Sequence, residues 1–505
     1  MENLILGLQN LADVHVLAYI FAGTLVGLFV GAVPGLNDTN ILTLFLSFAL
    51  FMEPFDAIIL MTAVFISCQT AGAIPAILIN IPGTPSTAAT TIEGYPLTKQ
   101  GKAGQALGCS FGSSLVGSVF GGAFALVLAP VLGKYALKFG PPEMFMVALF
   151  GMTAVASLTG NSVKKGLLAA VLGLLVGTVG TDFFIGITRS TFGILELESG
   201  VPQIPLLLGL FGVSELYSLL NKKSIVSQEI DSRDSDVKSQ WEGFRMVFRY
   251  KTSALLSAVI GFIVGVIPGT GATIGSFTSY GIAKSISKEP EKFGTGHYEG
   301  LVATDVANNA SVPGSIVPAL TLGIPGSGTT VLFISVFLMH GLTPGPTFFS
   351  NYLVEANSIF LTVIIVGIIA SIAGALATRY MAKVVTLPLY ILGPVIAAFC
   401  LLGSYISRGK VVDIYFMLFF SVLAYFLKIF EYSLPAFLLG DILGTIIEPN
   451  FFRSIALANG NYSIFFVRPI CIALWIMIAI TLIVPGYLNH RNAARRSSSA
   501  KEQEV

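Results

Sequence analysis

Apolar stretches of about 20 residues recur along the whole chain, and each is long enough for a helix to cross a hydrocarbon core of about 30 Å. Only 11% of the 505 residues are charged, whereas soluble domains carry about 25%. Because a soluble core cannot explain this deficit, we predict an all-α polytopic membrane protein with about 10–13 transmembrane helices. The N-terminus has neither a basic segment nor a small-residue cleavage site, so we expect a retained first helix rather than a cleaved signal peptide.

One hydrophilic segment divides the chain almost in half. Residues 221–251 contain seven basic and five acidic residues, and the tail after residue 489 is also basic. The positive-inside rule places both segments in the cytoplasm. We therefore expect a first transmembrane repeat (1–220), a cytoplasmic linker (221–253), a second repeat (254–464), an extra C-terminal transmembrane helix (465–488) and a cytoplasmic tail (489–505).

The two halves carry matching motifs in the same order. The first half has GAVPGLNDTN at 31–40 and NIPGTPST at 80–87, and the second has GVIPGTGATI at 265–274 and GIPGSGTT at 323–330. This pattern indicates an internal duplication. Since one half is expected to begin outside and the other inside, we predict two inverted repeats with discontinuous or re-entrant helices at the Pro-Gly positions.

Each motif interrupts an apolar segment with a Pro-Gly pair. Proline removes a backbone donor and clashes with the preceding turn, and glycine permits conformations that other residues avoid. Non-helical backbone at membrane depth persists only where it is buried in protein or lines a cavity. Paired interruptions in two halves are therefore the best sequence indication of a transporter's binding site.

Small hydrogen-bonding residues follow the breaks, and they form two predicted sets. A helix that starts after Pro-Gly directs free N–H groups towards a carboxylate, and hydroxyl and carbonyl oxygens suit Na⁺. The predicted substrate-binding set is Asn80, Pro82, Gly83, Thr84, Ser86, Thr87, Pro325, Gly326, Ser327, Thr329 and Thr330. The set predicted to couple a cation or complete the site is Pro34, Gly35, Asn37, Asp38, Asn40, Pro268, Gly269, Thr270, Gly271, Thr273, Asp305, Asn308 and Asn309. For Asp305, Asn308 and Asn309, a helix cap is the alternative interpretation.

Other classes of function have little support. No phosphate-binding G-x-x-x-x-G-K-[ST] loop and no H-E-x-x-H motif is present, and Leu438–Asp441 lacks a glycine of the G-x-G-D motif of intramembrane aspartyl proteases. The four cysteines are scattered, which is typical of buried free thiols, and no basic patch with interleaved aromatic residues indicates nucleic-acid binding. We therefore predict a protein that is not an enzyme, needs no cofactor and binds no metal apart from Na⁺ as one of two possible coupling ions, the other being H⁺.

Long stretches of the chain resemble the large membrane subunit of the bacterial tripartite tricarboxylate transporters. The similarity is strongest at AIPAILINIPGTPSTAATTIEGYPLTKQGKAGQALG (73–108), GTDFFIGITRSTFG (180–193), GVIPGTGATIGSFTSYGIAK (265–284) and residues 299–346. The resemblance implies a multi-pass protein of the bacterial inner membrane that works with a small four-helix membrane subunit and a periplasmic substrate-binding protein. It also implies carboxylate import by symport with Na⁺ or H⁺, through alternating access of an elevator-like kind.

The first motif departs from the family pattern. The family usually has glycine and small apolar residues after Pro-Gly-Leu, whereas this chain has Asn37, Asp38, Thr39 and Asn40. A carboxylate beside a carboxylate substrate is unfavourable unless it binds a cation or a proton. Asp38 is therefore hypothesised to be a cation or proton ligand, or else the substrate is less anionic than citrate. The alternative functions are a stand-alone organic-anion channel or exporter and, with less support, an intramembrane enzyme.

Overall fold

The protein is almost entirely helical. The computed structural model describes residues 2–33, 37–158, 162–182, 186–214, 216–217, 237–384 and 389–482. The strands in these ranges are β1 (Gly180–Thr181) and β2 (Thr188–Arg189), which pair antiparallel with Gly180 opposite Arg189. The predicted all-α class is confirmed.

Ten α-helices lie before the predicted cytoplasmic linker within the described ranges. They are α1 (Glu2–Leu11), α2 (Val14–Gly31), α3 (Asp38–Ala49), α4 (Pro54–Ala71), α5 (Ala73–Ile79), α6 (Thr91–Lys99), α7 (Ala103–Ala136), α8 (Pro141–Leu158), α9 (Val163–Gly177) and α10 (Gln203–Leu207). Short 3₁₀ turns occupy Pro85–Ala88 and Leu195–Leu197, and a π-helical segment, Leu208–Val213, continues α10.

Twelve further helices follow among the described residues. They are α11 (Val237–Arg249), α12 (Lys251–Val266), α13 (Gly271–Ile286), α14 (Tyr298–Leu322), α15 (Thr330–Met339), α16 (Pro346–Asn351), α17 (Leu353–Val384), α18 (Leu389–Arg408), α19 (Val412–Ile429), α20 (Leu434–Leu457), α21 (Ile464–Val467) and α22 (Pro469–Leu482). A 3₁₀ turn at Pro290–Lys292 precedes α14.

Five segments of the described chain are long and apolar enough to cross a membrane, or six if a bent pair of helices counts as one span. They are Val14–Gly31, Pro54–Ile79, Ala103–Ala136, Leu353–Thr378 and Val412–Ile429, and the bent pair is α11 with α12. Shorter apolar helices lie at Pro141–Ala156, Gln203–Val213, Thr330–Met339 and Pro469–Leu482. A polytopic membrane protein is confirmed, while the number of crossings and the inversion of the repeats stay predictions.

The chain forms two compact units. The first contains residues 1–136 and 203–422, and the second contains residues 137–202 and 423–505. In the first unit α2 packs on α4, α12 packs on α14, and α7 packs on α14. In the second unit α20 packs on α8 and α9. All residues of the predicted site lie in the first unit.

Part of the predicted organisation lies outside the described residues. This applies to Pro34 and Gly35, to residues 221–236 of the linker, and to residues 483–505. The remainder of the linker is helical, since α11 and the start of α12 occupy it. All four cysteines are buried and free, as predicted.

Polar contacts in the second unit join residues distant in sequence. Arg189, in β2 of the small hairpin, forms ion pairs with Asp182 (2.9 Å) and Glu448 (2.6 Å). Arg468 contacts Glu143 at the start of α8 (2.7 Å). The charged residues in these pairs, although they lie near apolar segments, therefore have a structural role as ion pairs within the second unit.

Candidate functional site

The loop after α5 stops one helix and caps the next. Asn80 ends α5 in the left-handed conformation (φ 58°), and the extended Thr84 then precedes the 3₁₀ turn Pro85–Ala88. The Thr84 N–H donates to Thr87 Oγ1 (3.2 Å), and Thr87 Oγ1 donates to the Thr84 carbonyl (2.8 Å). The hydroxyl groups therefore serve as side-chain caps where backbone groups are left free by the break.

The loop after α14 repeats this geometry in residues numbered 243 higher. Gly323, the counterpart of Asn80, ends α14 in the left-handed conformation (φ 71°). The Ser327 N–H donates to Thr330 Oγ1 (2.9 Å), and the Thr330 N–H donates to Ser327 Oγ (3.3 Å). Since Ser327 and Thr330 are the counterparts of Thr84 and Thr87, the two halves build the same capped break.

Glycine is required in both loops by close backbone contact. The Gly83 N–H donates to the Gly72 carbonyl (3.1 Å), and the Gly326 N–H donates to the Ser315 carbonyl (3.3 Å). A Cβ at Gly83 would lie 2.5 Å from the Gly31 carbonyl oxygen at the end of α2. A Cβ at Gly326 would lie 2.8 Å from the carbonyl oxygen of Gly265 in α12. The first loop is thus pressed against the end of α2, and the second against the end of α12.

A buried hydrogen-bond network joins the two loops. Asp38, at the start of α3, accepts hydrogen bonds on Oδ2 from Thr329 Oγ1 (2.8 Å) and Gln69 Nε2 (3.1 Å). Gln69 Oε1 in turn accepts from Ser86 Oγ (2.8 Å) and Thr84 Oγ1 (3.1 Å). One continuous chain of contacts therefore links the first loop, through Gln69 and Asp38, to the second.

The remaining break contacts the second loop. The Gly269 N–H donates to the Gly326 carbonyl (3.0 Å), which brings the end of α12 to the loop after α14. Thr270 bonds locally, because its hydroxyl donates to the Ile267 carbonyl (2.8 Å). Gly271 begins α13 at φ 61°. Thr273 lies half-buried in the first turn of α13. Segments from three of the predicted breaks, together with Asp38 just after the first motif's Pro-Gly pair, thus meet within the first unit.

A second polar group lies on α14. Asp305 Oδ1 accepts a hydrogen bond from Thr90 Oγ1 just after the first loop. Asn309 donates to Ser114 Oγ of α7 (2.9 Å) and accepts from Thr70 Oγ1 of α4 (3.1 Å). These residues lie well inside the helix Tyr298–Leu322, so the helix-cap alternative is wrong.

Two oxygens of this group are unsatisfied. Asp305 and Asn308 are each 1% exposed. Asp305 Oδ2 and Asn308 Oδ1 have no hydrogen-bond partner within the described part of the chain. Residues three apart on a helix lie on one face. A buried carboxylate with neutral partners is costly unless a cation or proton offsets its charge. The arrangement can therefore accept a small cation.

Some predicted residues lie outside the network. Asn80 is exposed at the end of α5 and takes no part in the network as the structure describes it. Asn37 caps α3, because its side chain accepts from the Asn40 N–H (2.9 Å). Pro82 and Pro325 lie in the two loops and, having no backbone N–H, donate no hydrogen bond there.

Gln69 and Glu93 were not among the predicted site residues. Gln69 is a polar residue near the end of an apolar span, and this was its only sequence signal. Glu93 is fully buried in α6 and accepts from the Gly296 N–H (2.8 Å), the His297 N–H (2.7 Å) and Tyr280 Oη (2.8 Å). Glu93 thereby ties α6 to the segment before α14, near the loop that contains Thr90.

No cluster of three or more His, Cys, Asp or Glu side chains in the described ranges has the geometry of a metal site. Lys99, the last residue of α6, and Lys102, just after it, are exposed, and Lys99 lies over the Tyr95 ring (4.8 Å). Among the described residues named above, the charged member of the network is Asp38, and the charged member of the second polar group is Asp305. Both are carboxylates.

Comparison with known proteins gives one family. The sequence model of the tripartite tricarboxylate transporter TctA family matches residues 17–439. An uncharacterised 52.8 kDa protein in the TAR-I ttuC' 3' region of Agrobacterium vitis is 32% identical over 502 residues, which is 97% of this chain and 98% of that protein. An uncharacterised protein in the TAR-II ttuC' 3' region of the same organism is 30% identical over 235 residues, which is 46% of this chain and 97% of that protein. No solved structure matches the chain.

Proposed function

Because the chain belongs to the tripartite tricarboxylate transporter TctA family, we propose that it is the large membrane subunit of a binding-protein-dependent secondary transporter that imports an organic carboxylate by Na⁺ or H⁺ symport. Its partners in this proposal are a small four-helix membrane subunit and a periplasmic substrate-binding protein, and its location is the bacterial inner membrane. Alternating access of the buried network would carry the substrate across.

The observation that carries the proposal is the network from Thr84 through Gln69 and Asp38 to Thr329. Broken helices that meet at membrane depth are the usual construction of a transporter's substrate site. The hydroxyl caps of Thr84, Thr87, Ser327 and Thr330 are replaceable donors and acceptors. A substrate carboxylate can take the place of a side-chain cap, because both satisfy the N–H groups at a helix start.

The coupling ion is assigned to the second polar group. Asp305 Oδ2 and Asn308 Oδ1 are buried acceptors that make no hydrogen bond among the described residues. Oxygen acceptors suit Na⁺, and the carboxylate of Asp305 suits a proton equally well. Thr90 connects this position to the first loop, since its hydroxyl donates to Asp305. Cation binding would thus act on the loop that contacts the substrate.

Asp38 limits the charge of the substrate in this proposal. Its carboxylate already accepts hydrogen bonds from Gln69 Nε2 and Thr329 Oγ1. A substrate carboxylate would otherwise use these donors. The imported acid would therefore carry fewer than three carboxylates. In the variant Asp38→Asn the preference for dicarboxylates over tricarboxylates should fall by roughly tenfold, which corresponds to about 1.4 kcal/mol. An unchanged preference would remove Asp38 from the specificity argument.

The function is tested by uptake into proteoliposomes that contain both membrane subunits, with the receptor protein added outside. An inward Na⁺ or H⁺ gradient should drive accumulation of the acid above its external concentration. Equilibration without accumulation would instead favour a channel, and net efflux would favour an exporter. Chemical conversion of the acid without transport would favour an intramembrane enzyme.

A further inference from the structure

The short helix α11 runs across the direction of the span that follows it. The axes of α11 and α12 differ by 77° at a break next to Tyr250. Residues 237–251 contain four basic residues and one acidic residue, which places this end of the span on the cytoplasmic side. If α12 crosses the membrane along its normal, a helix at this angle to it would lie along the membrane surface.

Two strips of side chains share the exposed surface of α11. Trp241 and Phe248 are seven residues apart on one side of the helix and are 53% and 62% exposed. Lys238, Arg245 and Arg249 are exposed beside them. An aromatic strip next to a basic strip is the pattern of a helix that lies in the lipid interface.

The position of α11 is fixed by close backbone packing on α7. A Cβ at Gly108 or at Gly243 would collide with the backbone of the other helix, at Gln240 and Gln105 respectively. Gln105 Nε2 also donates to Glu242 Oε2 (3.0 Å), which turns the acidic side chain of α11 towards α7. This hydrogen bond and the close packing of the two glycines hold the surface of α11 in place.

An apolar groove of about 680 Å³ lies where α11, α7 and α12 meet. Its walls include Val116 and Phe120 of α7, Phe248 of α11, and Leu255 and Val259 of α12. Lys251 lies at the end of the groove nearest α11. From residue 251 to residue 259 a helix rises about 12 Å, which covers most of one leaflet of about 15 Å.

We propose that this groove binds an anionic phospholipid of the cytoplasmic leaflet, with an acyl chain between α7 and α12 and the phosphate at Lys251. Charge complementarity favours this occupant, because the groove is apolar along the span and cationic at its interfacial end. Arg249 and the neighbouring basic strip extend the positive surface along the headgroup layer. A helix of the small subunit would need an acidic residue at that depth to satisfy Lys251. The lipid site is independent of the transport function proposed above.

Lipid retention by the full chain tests the site. The protein is purified into nanodiscs with equal amounts of phosphatidylglycerol and phosphatidylcholine, released into detergent, and examined by native mass spectrometry. Wild-type protein should retain phosphatidylglycerol preferentially, and Lys251→Gln should reduce that retention about fivefold, as expected for one lysine at an anionic surface. Lys251→Arg should restore it, and Lys410→Gln, which alters an exposed lysine elsewhere, should leave it unchanged.

A second measurement separates the groove from the charge. Leu255→Trp fills the groove without altering a charge, so it should lower retention while Lys251 remains. In a Trp475→Phe background Trp241 is the single tryptophan, and phosphatidylglycerol brominated in its acyl chains should quench it more than brominated phosphatidylcholine does. The proposal would be overturned by equal retention of both lipids. It would also be overturned if Lys251→Gln or Leu255→Trp had no effect, or if the small subunit displaced the lipid.

Discussion

Replacement of Asp305 by asparagine should separate the effects of charge and shape at the proposed ion position. The Asp305 side chain is 1% exposed, and Oδ2 makes no hydrogen bond among the described residues, although the Ser110 hydroxyl lies near the carboxylate. Asparagine keeps an oxygen that can accept from Thr90, and it adds an amide donor on the face that holds Asn308 Oδ1. Without a coupling cation, Asp305→Asn should be more stable than the wild type by about 1–3 kcal/mol, since a buried unsatisfied group is removed.

With the cation present, the stability advantage of Asp305→Asn should shrink or reverse. A charge pair at about 4 Å contributes about 4 kcal/mol at an effective dielectric constant of about 20, so loss of the carboxylate weakens cation binding by up to about 1,000-fold. A ligand at 100 times its dissociation constant stabilises a protein by about 2.7 kcal/mol. The wild type should gain this stabilisation and Asp305→Asn should gain almost none of it.

The assay is thermal unfolding of the purified chain in NaCl, with choline chloride at equal ionic strength as the reference. If H⁺ is the coupling ion, the same comparison is made in proteoliposomes, where Asp305→Asn should abolish the acceleration of uptake by a pH gradient. Asp13→Asn is the matched control, because Asp13 is 57% exposed. The reasoning is refuted if Asp305→Asn keeps the wild-type response to the cation, or if it is less stable than the wild type without it.

Three further variants test the network and its supports. Gln69→Leu should weaken substrate binding by roughly 5- to 150-fold, measured by uptake, because two buried hydroxyls lose their acceptor (about 1–3 kcal/mol). It should leave cation stabilisation unchanged. Gly83→Ala should lower the thermal stability by an amount typical of overpacking, about 1–3 kcal/mol; Gly281→Ala, whose Cβ meets open space, should not lower it. Glu93→Gln should destabilise the chain by about 2–4 kcal/mol in denaturation or proteolysis, since backbone donors lose a charged acceptor, whereas the exposed Glu291→Gln should have little effect.

The duplicated loops could be predicted from the sequence because their chemistry is local. Pro-Gly stops a helix, and a hydroxyl three residues further on caps the next turn, so Thr84 with Thr87 and Ser327 with Thr330 follow from the motifs themselves. The alignment of the two loops also indicates that Asn80 is not a substrate ligand by its side chain. Its counterpart is Gly323, and both residues end a helix at positive φ, which is a role for the backbone rather than for an amide side chain.

Long-range partners could not be predicted in the same way. Gln69 lies within an apolar span, where a single amide is usually a contact between helices, and its partner Asp38 lies on another helix. Glu93 is held by backbone N–H groups about 200 residues away, and backbone donors leave no signature in a sequence. Asp305 was found as a polar residue in an apolar segment, but only the fold shows that it lies inside a helix rather than at its cap.

The two halves share their scaffold but differ in their polar bridge. The glycine contacts and hydroxyl caps recur in both, as do the left-handed helix ends. Asp38 and Gln69, by contrast, correspond to Ala272 and Val312, which offer no side-chain hydrogen bond. If both loops carried identical polar groups, they would form two equivalent binding sites, and a ligand would bind to either with equal affinity. Because Asp38 and Gln69 come from the first half alone, the polar bridge between the two loops is built on α3 and α4. In the proposed function, a ligand that binds there would exchange contacts with Asp38 and Gln69, and Thr329 would connect that exchange to the second loop.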